Sequence, residues 1–124
     1  MITLKNIKKS YFIGERELPI LKGINLEIRS GEFVILMGVS GSGKTTLMNI
    51  VGLLDKQTEG EYEFMDVSID GLDDEKLATM RNLHIGFVFQ QFFLLPYLNA
   101  LENVLIPIVY SSKQIRHPRD KAKT

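Results

Sequence analysis

The feature that most constrains the fold is an apolar run at residues 33–37, which leads directly into a glycine-rich loop at residues 38–43. An uninterrupted apolar run of this length indicates a strand that is buried on both faces. Beyond the loop, apolar residues recur at spacings of three and four, which predicts an amphipathic helix over residues 44–54. A buried strand, a glycine loop and a helix in this order predict an α/β fold, in which helices flank a sheet.

The loop has the sequence Gly38-Val39-Ser40-Gly41-Ser42-Gly43-Lys44-Thr45, which matches the phosphate-loop pattern. Glycines let successive backbone N–H groups turn inward and approach phosphates closely. The following helix adds free N–H groups and the positive end of its dipole. In this pattern Lys44 supplies a full charge to the outer phosphates, and Thr45 supplies a hydroxyl ligand to Mg²⁺.

These residue types predict a nucleotide site with ATP and Mg²⁺ as the expected ligands. The alternative is a flexible glycine and serine loop that binds nothing, but it would not explain a Lys-Thr pair at a helix start. Chance would produce the fixed positions of the pattern roughly once in several tens of thousands of windows. The predicted nucleotide-binding residues of the loop and helix are Gly38, Ser40, Gly41, Ser42, Gly43, Lys44, Thr45 and Thr46.

Composition excludes several other classes of protein. The formal net charge is zero and the pI is about 6.7, so no nucleic-acid partner is expected. The absence of cysteine excludes disulfides and cysteine-based zinc sites. Residues 85–110, the most apolar region, are interrupted by polar residues and prolines and do not supply the ~20 apolar residues of a membrane span. The zero net charge also hides a basic tail at residues 113–124.

The remaining segments carry shorter signals. Alternating apolar and polar residues near the N-terminus, at 2–4 and 24–28, predict half-buried strands that pair antiparallel. Tyr62 and Phe64 suggest another strand, and Asp70-Gly71 predicts a turn.

Further along the chain, acidic residues at 73–75 predict the start of a helix that runs to about Asn82. A second buried strand is predicted at residues 85–89. Asn99 and Glu102 resemble a capping box that opens a helix, with Pro107 inside it or at its end.

Taken together, these segments resemble the N-terminal portion of an ABC-type ATP-binding subunit. The resemblance runs from Met1 to about Tyr110 and is most similar to the lipoprotein-release and macrolide-export branch. It implies ATP binding in a membrane exporter, with ATP hydrolysis coupled to transport as the family activity. Val39 departs from the proline often found there, but that side chain is not a phosphate ligand. The segments that carry the resemblance are residues 30–33, 38–50, 58–61, 85–91, 94–96 and 100–107.

The resemblance also implies roles outside the loop. Tyr11 lies where the family stacks an aromatic ring on adenine, and Phe12 is the rival candidate. Gln90, with Gln91 as second choice, lies where a glutamine reaches Mg²⁺ and the attacking water. Gln90 is therefore expected to be a metal ligand together with Thr45 and a catalytic residue together with Lys44. The alternative for Tyr11 is an ordinary tyrosine on an edge strand, and the alternative for Gln90 is a polar residue at the end of a strand.

The partners follow from the same resemblance. The apolar residues 92–98 lie where the family meets its permease, and burial in the core is the alternative. A second ATP-binding subunit is expected in the complete protein. The expected location is cytoplasmic, peripheral on the inner face of the cell membrane.

Some parts of the family pattern are absent from this sequence. It contains no Leu-Ser-Gly-Gly-type signature loop, no apolar strand that ends in Asp-Glu, and no histidine after such a strand. Leu53-Leu54-Asp55 imitates such a strand end, but Lys56 follows it and it lies on the first predicted helix. Residues 1–112 are therefore expected to be the N-terminal part of the nucleotide-binding domain, and residues 113–124 the start of a truncated helical region. Without the missing groups we expect nucleotide binding with little or no turnover.

Two other functions stay open from the sequence. The first is a catalytically inert nucleotide-binding or interaction module, and the second is a non-transport ABC protein in cell division or repair. A signature loop encoded in frame after Thr124 would separate the transporter subunit from the inert module. Residues 92–98 favour a permease partner over a repair role, by resemblance alone.

Overall fold

The computed structural model describes residues 1–109, and the chain divides into two compact units, Met1–Asp73 and a second unit that begins at Asp74. The predicted basic tail lies outside the described residues. The elements of the first unit are β1 (Ile2–Ile13), β2 (Arg16–Ile28), α1 (Lys44–Val51), β3 (Glu59–Phe64) and β4 (Val67–Ser68). The elements of the second unit are α2 (Asp74–His84) and α3 (Ala100–Val109).

An antiparallel four-stranded sheet in the order β2-β1-β3-β4 forms the base of the first unit. β1 is paired on both sides, so that Ile2 faces Ile28 of β2 and Phe64 of β3. The antiparallel pairing predicted for the alternating N-terminal residues is confirmed. A sheet and helices in one chain also agree with the predicted α/β class.

Apolar side chains of the sheet and of α1 make the core of the first unit. Leu47 and Ile50 are buried, as the spacing of the helix predicted, although α1 ends at Val51 rather than at residue 54. Tyr62 of β3 is fully buried, and its hydroxyl donates a hydrogen bond to the Val51 carbonyl at 2.7 Å. This bond satisfies a carbonyl at the C-terminal end of α1, where no intrahelical partner is available. The other core residues of the unit are Leu4, Ile7, Leu21, Leu53, Phe64 and Ile69.

A bulge in β1 lies opposite Gly60. Lys5 and Lys8 of β1 pair with the two residues that flank Gly60, so two residues of β1 oppose a single residue of β3. A β-carbon at position 60 would lie 2.5 Å from the Asn6 carbonyl oxygen and 2.7 Å from that of Lys5. Gly60 also has a φ of 102°, which side chains rarely tolerate. The position therefore requires glycine.

The structure contradicts two of the predicted strands. Residues 33–37 and 85–89 form no strand, and Phe33 and Val88 are 89% and 100% exposed. A strand needs a hydrogen-bonded neighbour, and within residues 1–109 neither segment is a member of a sheet. Their apolar side chains would be buried if each segment paired with a neighbouring strand. Residues 1–109 supply no such strand.

In the second unit the predicted capping box is confirmed. The Asn99 side chain accepts a hydrogen bond from the Glu102 N–H at 2.9 Å, and the Glu102 carboxylate accepts one from the Asn99 N–H at 2.8 Å. α3 contains Pro107, whose carbonyl accepts a hydrogen bond from the Asn82 side chain of α2 at 3.2 Å. Among the described residues, no helix has both the length and the apolar character that a bilayer crossing requires.

Gly60→Ala tests the bulge, with Gly71→Ala as its matched control. Both glycines have positive φ values, 102° and 79°, but a β-carbon at position 71 would meet nothing within 4 Å. We expect Gly71→Ala to lower the free energy of unfolding by about 1 kcal/mol through backbone strain alone. Gly60→Ala should lower it by roughly 2–4 kcal/mol, because a clash with backbone oxygens adds to that strain. Denaturant unfolding measures both values, and equal losses would contradict the bulge geometry.

Candidate functional site

The glycine-rich loop ends where α1 begins, and glycine is required at that junction. Gly43 is the N-cap of α1 with a φ of 89°, in the left-handed region. A β-carbon at this position would lie 2.9 Å from the Leu21 side chain of β2. The sheet therefore packs directly against the start of the helix. No side chain caps α1 in the described chain, so the amide groups of its first turn are not covered by a capping residue.

The Lys44 ammonium is surrounded by acceptors of its own loop. Nζ donates hydrogen bonds to the Gly38 carbonyl at 2.8 Å, the Val39 carbonyl at 2.6 Å and Ser42 Oγ at 3.3 Å. The loop therefore curves around this cation. Phosphate oxygens are stronger partners for an ammonium group than neutral carbonyls, because the hydrogen bond is then charge-assisted on both sides.

A cavity of about 410 Å³ opens beside the loop. This volume is within the range of small-ligand sites. The positive charge of Lys44 and the N-terminal end of α1 both lie at this cavity, so it favours an anion. Its lining contains six of the eight predicted loop and helix residues, and the structure adds Ile20 of β2, which the sequence analysis did not single out. The lining residues are Ile20, Ser40, Gly41, Gly43, Lys44, Thr45 and Thr46.

Tyr11 lies near the C-terminal end of β1 and is 39% exposed. Its hydroxyl donates a hydrogen bond to Asp55 Oδ2 at 2.8 Å. Burial raises the pKa of Tyr11 and Asp55 raises it further, whereas a hydrogen bond with Thr46 lowers it. Because Thr46 of α1 also lines the cavity, Tyr11 lies close to the cavity. Phe12 follows it in the strand, so its side chain emerges on the opposite face of the sheet, and it is 68% exposed.

Asp55 is a residue that the sequence analysis set aside as an imitation of a strand end. Its carboxylate binds Lys9 Nζ at 2.7 Å as well as the Tyr11 hydroxyl. Burial alone would raise its pKa, but hydrogen bonds from Lys9, Tyr11 and the Lys56 backbone hold that pKa below its usual range. No sequence spacing signals this cluster, since 44 residues separate Tyr11 from Asp55.

Gln90 and residues 92–98 belong to the second unit. Gln90 is exposed in the irregular segment between α2 and α3. Residues 92–98 are not buried as a core, because Phe92 is 87% and Tyr97 is 77% exposed. The loop is nevertheless anchored, since the Asn103 side chain of α3 accepts a hydrogen bond from the Leu95 N–H at 2.9 Å and donates to the Leu98 carbonyl at 3.1 Å.

Residues 1–109 offer few protein ligands for magnesium. Residues 1–109 contain no group of three His, Cys, Asp or Glu side chains that could hold a metal ion. Thr45 is exposed at the cavity and carries a hydroxyl oxygen, the type of ligand that Mg²⁺ accepts. The donor set fits an ion that keeps several waters and takes its other ligands from phosphates.

Comparison with known proteins gives consistent matches. The family model described as ABC transporter matches residues 21–124. The ABC transporter ATP-binding protein YvrO of Bacillus subtilis is 52% identical over 122 residues, which cover 98% of this chain and 53% of that protein. The macrolide export ATP-binding/permease protein MacB of Rhodopirellula baltica is 52% identical over 112 residues, which cover 90% of this chain and 16% of that protein.

Among solved structures, a dimeric post-hydrolysis state of the ATP-binding cassette MJ0796 bound to ADP and Pi matches with a TM-score of 0.91 at 47% identity. The match covers 99% of this chain and 54% of that one. MJ0796 is a protein of Methanocaldococcus jannaschii. The chain thus spans about half the length of YvrO and MJ0796, and a smaller share of MacB.

Proposed function

The chain belongs to the ABC transporter family, and we propose that it forms the ATP-binding portion of an exporter's ATP-binding subunit. The observation that carries the proposal is the cavity beside the loop, with the Lys44 ammonium and the N-terminal end of α1 both directed to one small volume. Relatives named for macrolide export, at 43–52% identity, support the exporter branch.

The phosphates are proposed to bind by exchange of hydrogen bonds at Lys44. The ammonium releases the Gly38 and Val39 carbonyls and binds the outer phosphate oxygens. The backbone N–H groups of the loop and of the first turn of α1 then surround the remaining oxygens. Glycines at positions 41 and 43 permit this approach, since both have positive φ values, 77° and 89°.

Thr45 is proposed to hold Mg²⁺ through its hydroxyl oxygen. The ion neutralises phosphate charge when it is bound. In the complete protein Gln90 would be a second ligand and would orient the attacking water, and Lys44 would stabilise charge on the transferred phosphoryl group. Hydrolysis and its coupling to transport are proposed for a whole ATP-binding subunit, since this chain spans about half the length of YvrO.

The base is proposed to stack on Tyr11. The aromatic ring is partly exposed beside Thr46, which lines the cavity. A flat apolar face suits a purine, and base–aromatic stacking contributes roughly 1–3 kcal/mol. The orientation of Tyr11 toward Asp55, close to α1, supports it over Phe12.

Residues 92–98 are proposed to contact a permease. An exposed apolar loop that is anchored to a helix by Asn103 presents its aromatic side chains without collapsing. A second ATP-binding subunit is a further proposed partner, supported by the dimeric state of the similar solved structures. These contacts would hold the protein at the inner face of the membrane.

Mg-ATP should raise the melting temperature of the chain by several degrees. A ligand at 100 times its Kd stabilises the folded state by about 2.7 kcal/mol. Lys44→Ala should remove most of the shift, because it deletes the only full charge among the residues that line the cavity. Lys22→Ala, which removes an exposed lysine of β2, is the matched control and should retain the shift. An equal shift in a folded Lys44→Ala protein would contradict the phosphate site.

The 124-residue chain should hydrolyse ATP more slowly than about 1 s⁻¹, the lower end of ordinary enzyme rates. Positioning and charge stabilisation supply most of the acceleration in phosphoryl transfer, and this sequence has no Asp-Glu strand end to hold the metal and polarise the water. Phosphate release from the purified chain is the measurement, with Lys44→Ala to reveal a contaminating ATPase. Faster turnover that disappears in Lys44→Ala would show that this chain catalyses hydrolysis without an Asp-Glu strand end.

Phe92→Ser and Tyr97→Ser should weaken co-sedimentation with membranes that contain the permease partner, by roughly ten-fold for a central interface side chain. Both side chains are exposed, so the fold and the Mg-ATP shift should be unchanged. Leu83→Ser is the matched control, because Leu83 is an exposed apolar residue of α2 outside the loop. Equal losses of co-sedimentation in all three variants would contradict a specific permease contact at residues 92–98.

A further inference from the structure

A set of polar contacts joins β1 to the segment that leaves α1, outside the phosphate loop itself. Lys9 Nζ donates hydrogen bonds to Asp55 Oδ1 at 2.7 Å and to the Lys56 carbonyl at 2.6 Å, and only 12% of the Lys9 side chain is exposed. The Tyr11 hydroxyl donates to the other carboxylate oxygen of Asp55 at 2.8 Å. One carboxylate therefore holds two side chains of β1.

Asp55 is in turn attached to the helix that follows the phosphate loop. Its backbone N–H donates to the Asn49 carbonyl of α1 at 3.2 Å. Since α1 begins at Lys44, the Asp55 carboxylate and the Lys44 ammonium are fixed to the same helix. The Tyr11 ring is thereby positioned against α1 as well as by its own strand.

Lys9 also lies over one face of the Tyr11 ring. Lys9 and Tyr11 are two residues apart in β1, so both side chains emerge on the same face of the sheet. Lys9 Nζ lies 5.0 Å from the ring centroid, which is within the range of cation–π attraction. The ammonium covers one face of the ring, so a base that stacks on Tyr11 would take the opposite face.

We propose that Asp55, held by Lys9, is a positioning residue for adenine, because it fixes the Tyr11 ring relative to α1 and thus to the phosphate loop. The inference rests on the proposed ATP site and adds a specificity device to it. The hydroxyl bond sets the tilt of the ring, and the lysine sets its free face. A ring that is fixed before the base arrives loses less conformational freedom on binding, so affinity for the base increases.

The test compares Mg-ATP with magnesium tripolyphosphate, which presents phosphates without a base. In calorimetric titrations of the full chain, Asp55→Ala should weaken ATP about three- to ten-fold, as expected for one lost hydrogen bond, and should change tripolyphosphate affinity by less than about two-fold. Tyr11→Phe keeps the aromatic ring and should weaken ATP by a similar factor. The double variant should be no weaker than Asp55→Ala, because both changes remove the same bond.

Glu59→Ala is the matched control, since it breaks the ion pair between Lys8 and Glu59 (2.6 Å) without altering the Tyr11 hydroxyl bond. It should leave both affinities unchanged. Unchanged ATP affinity in Tyr11→Phe and Asp55→Ala, or equal weakening of both ligands, would overturn the positioning role while leaving the ATP site intact. Failure of Mg-ATP to bind the unaltered chain would overturn the proposed ATP site, and this inference with it.

Discussion

The first unit depends on β1, because this strand is paired on both sides and joins β2 to the remainder of the sheet. A shift of β1 by one residue would exchange its buried and exposed faces, so Leu4 would leave the core and Tyr11 would turn away from Asp55. The bulge opposite Gly60 opposes such a shift, since the backbone oxygens of β1 fit only against a residue without a β-carbon. The position of the candidate base site is thus set by strand register as well as by local loop sequence.

The phosphate loop meets a different requirement, because it must hold the Lys44 ammonium without an ion pair that an incoming phosphate would have to break. Lys44 is half-buried, and its hydrogen bonds in the described structure go to neutral carbonyls and a hydroxyl. A carboxylate at this position would hold the ammonium more strongly, but a phosphate would then have to displace a full negative charge. Neutral acceptors satisfy the donor in the free state and are weaker than the ligand that replaces them. The Asp55 carboxylate beside Tyr11 is paired with Lys9 and therefore adds little repulsion toward phosphate.

Features with a local cause could be predicted from the sequence. The capping box of Asn99 and Glu102 and the start of α1 after Gly43 each depend on residues only a few positions apart. The exposure of residues 33–37 could not be predicted, because an apolar run indicates a preference for burial that is realised only beside a sheet partner. Asp55 was missed for a related reason: its partners lie 44 and 46 residues away, and only the pairing of β1 brings them together. The role of Gln90 still rests on resemblance alone.

The exposed run at residues 33–37 leads directly into Gly38 at the start of the phosphate loop. Met37 is 83% exposed and Phe33 is 89% exposed, so the described residues do not pack against this end of the loop, whereas Gly43 fixes the other end against the sheet. The Gly38 and Val39 carbonyls, at the unpacked end, both accept hydrogen bonds from Lys44 Nζ. Because Lys44 is also the first residue of α1, it ties the two ends of the loop together in the described structure.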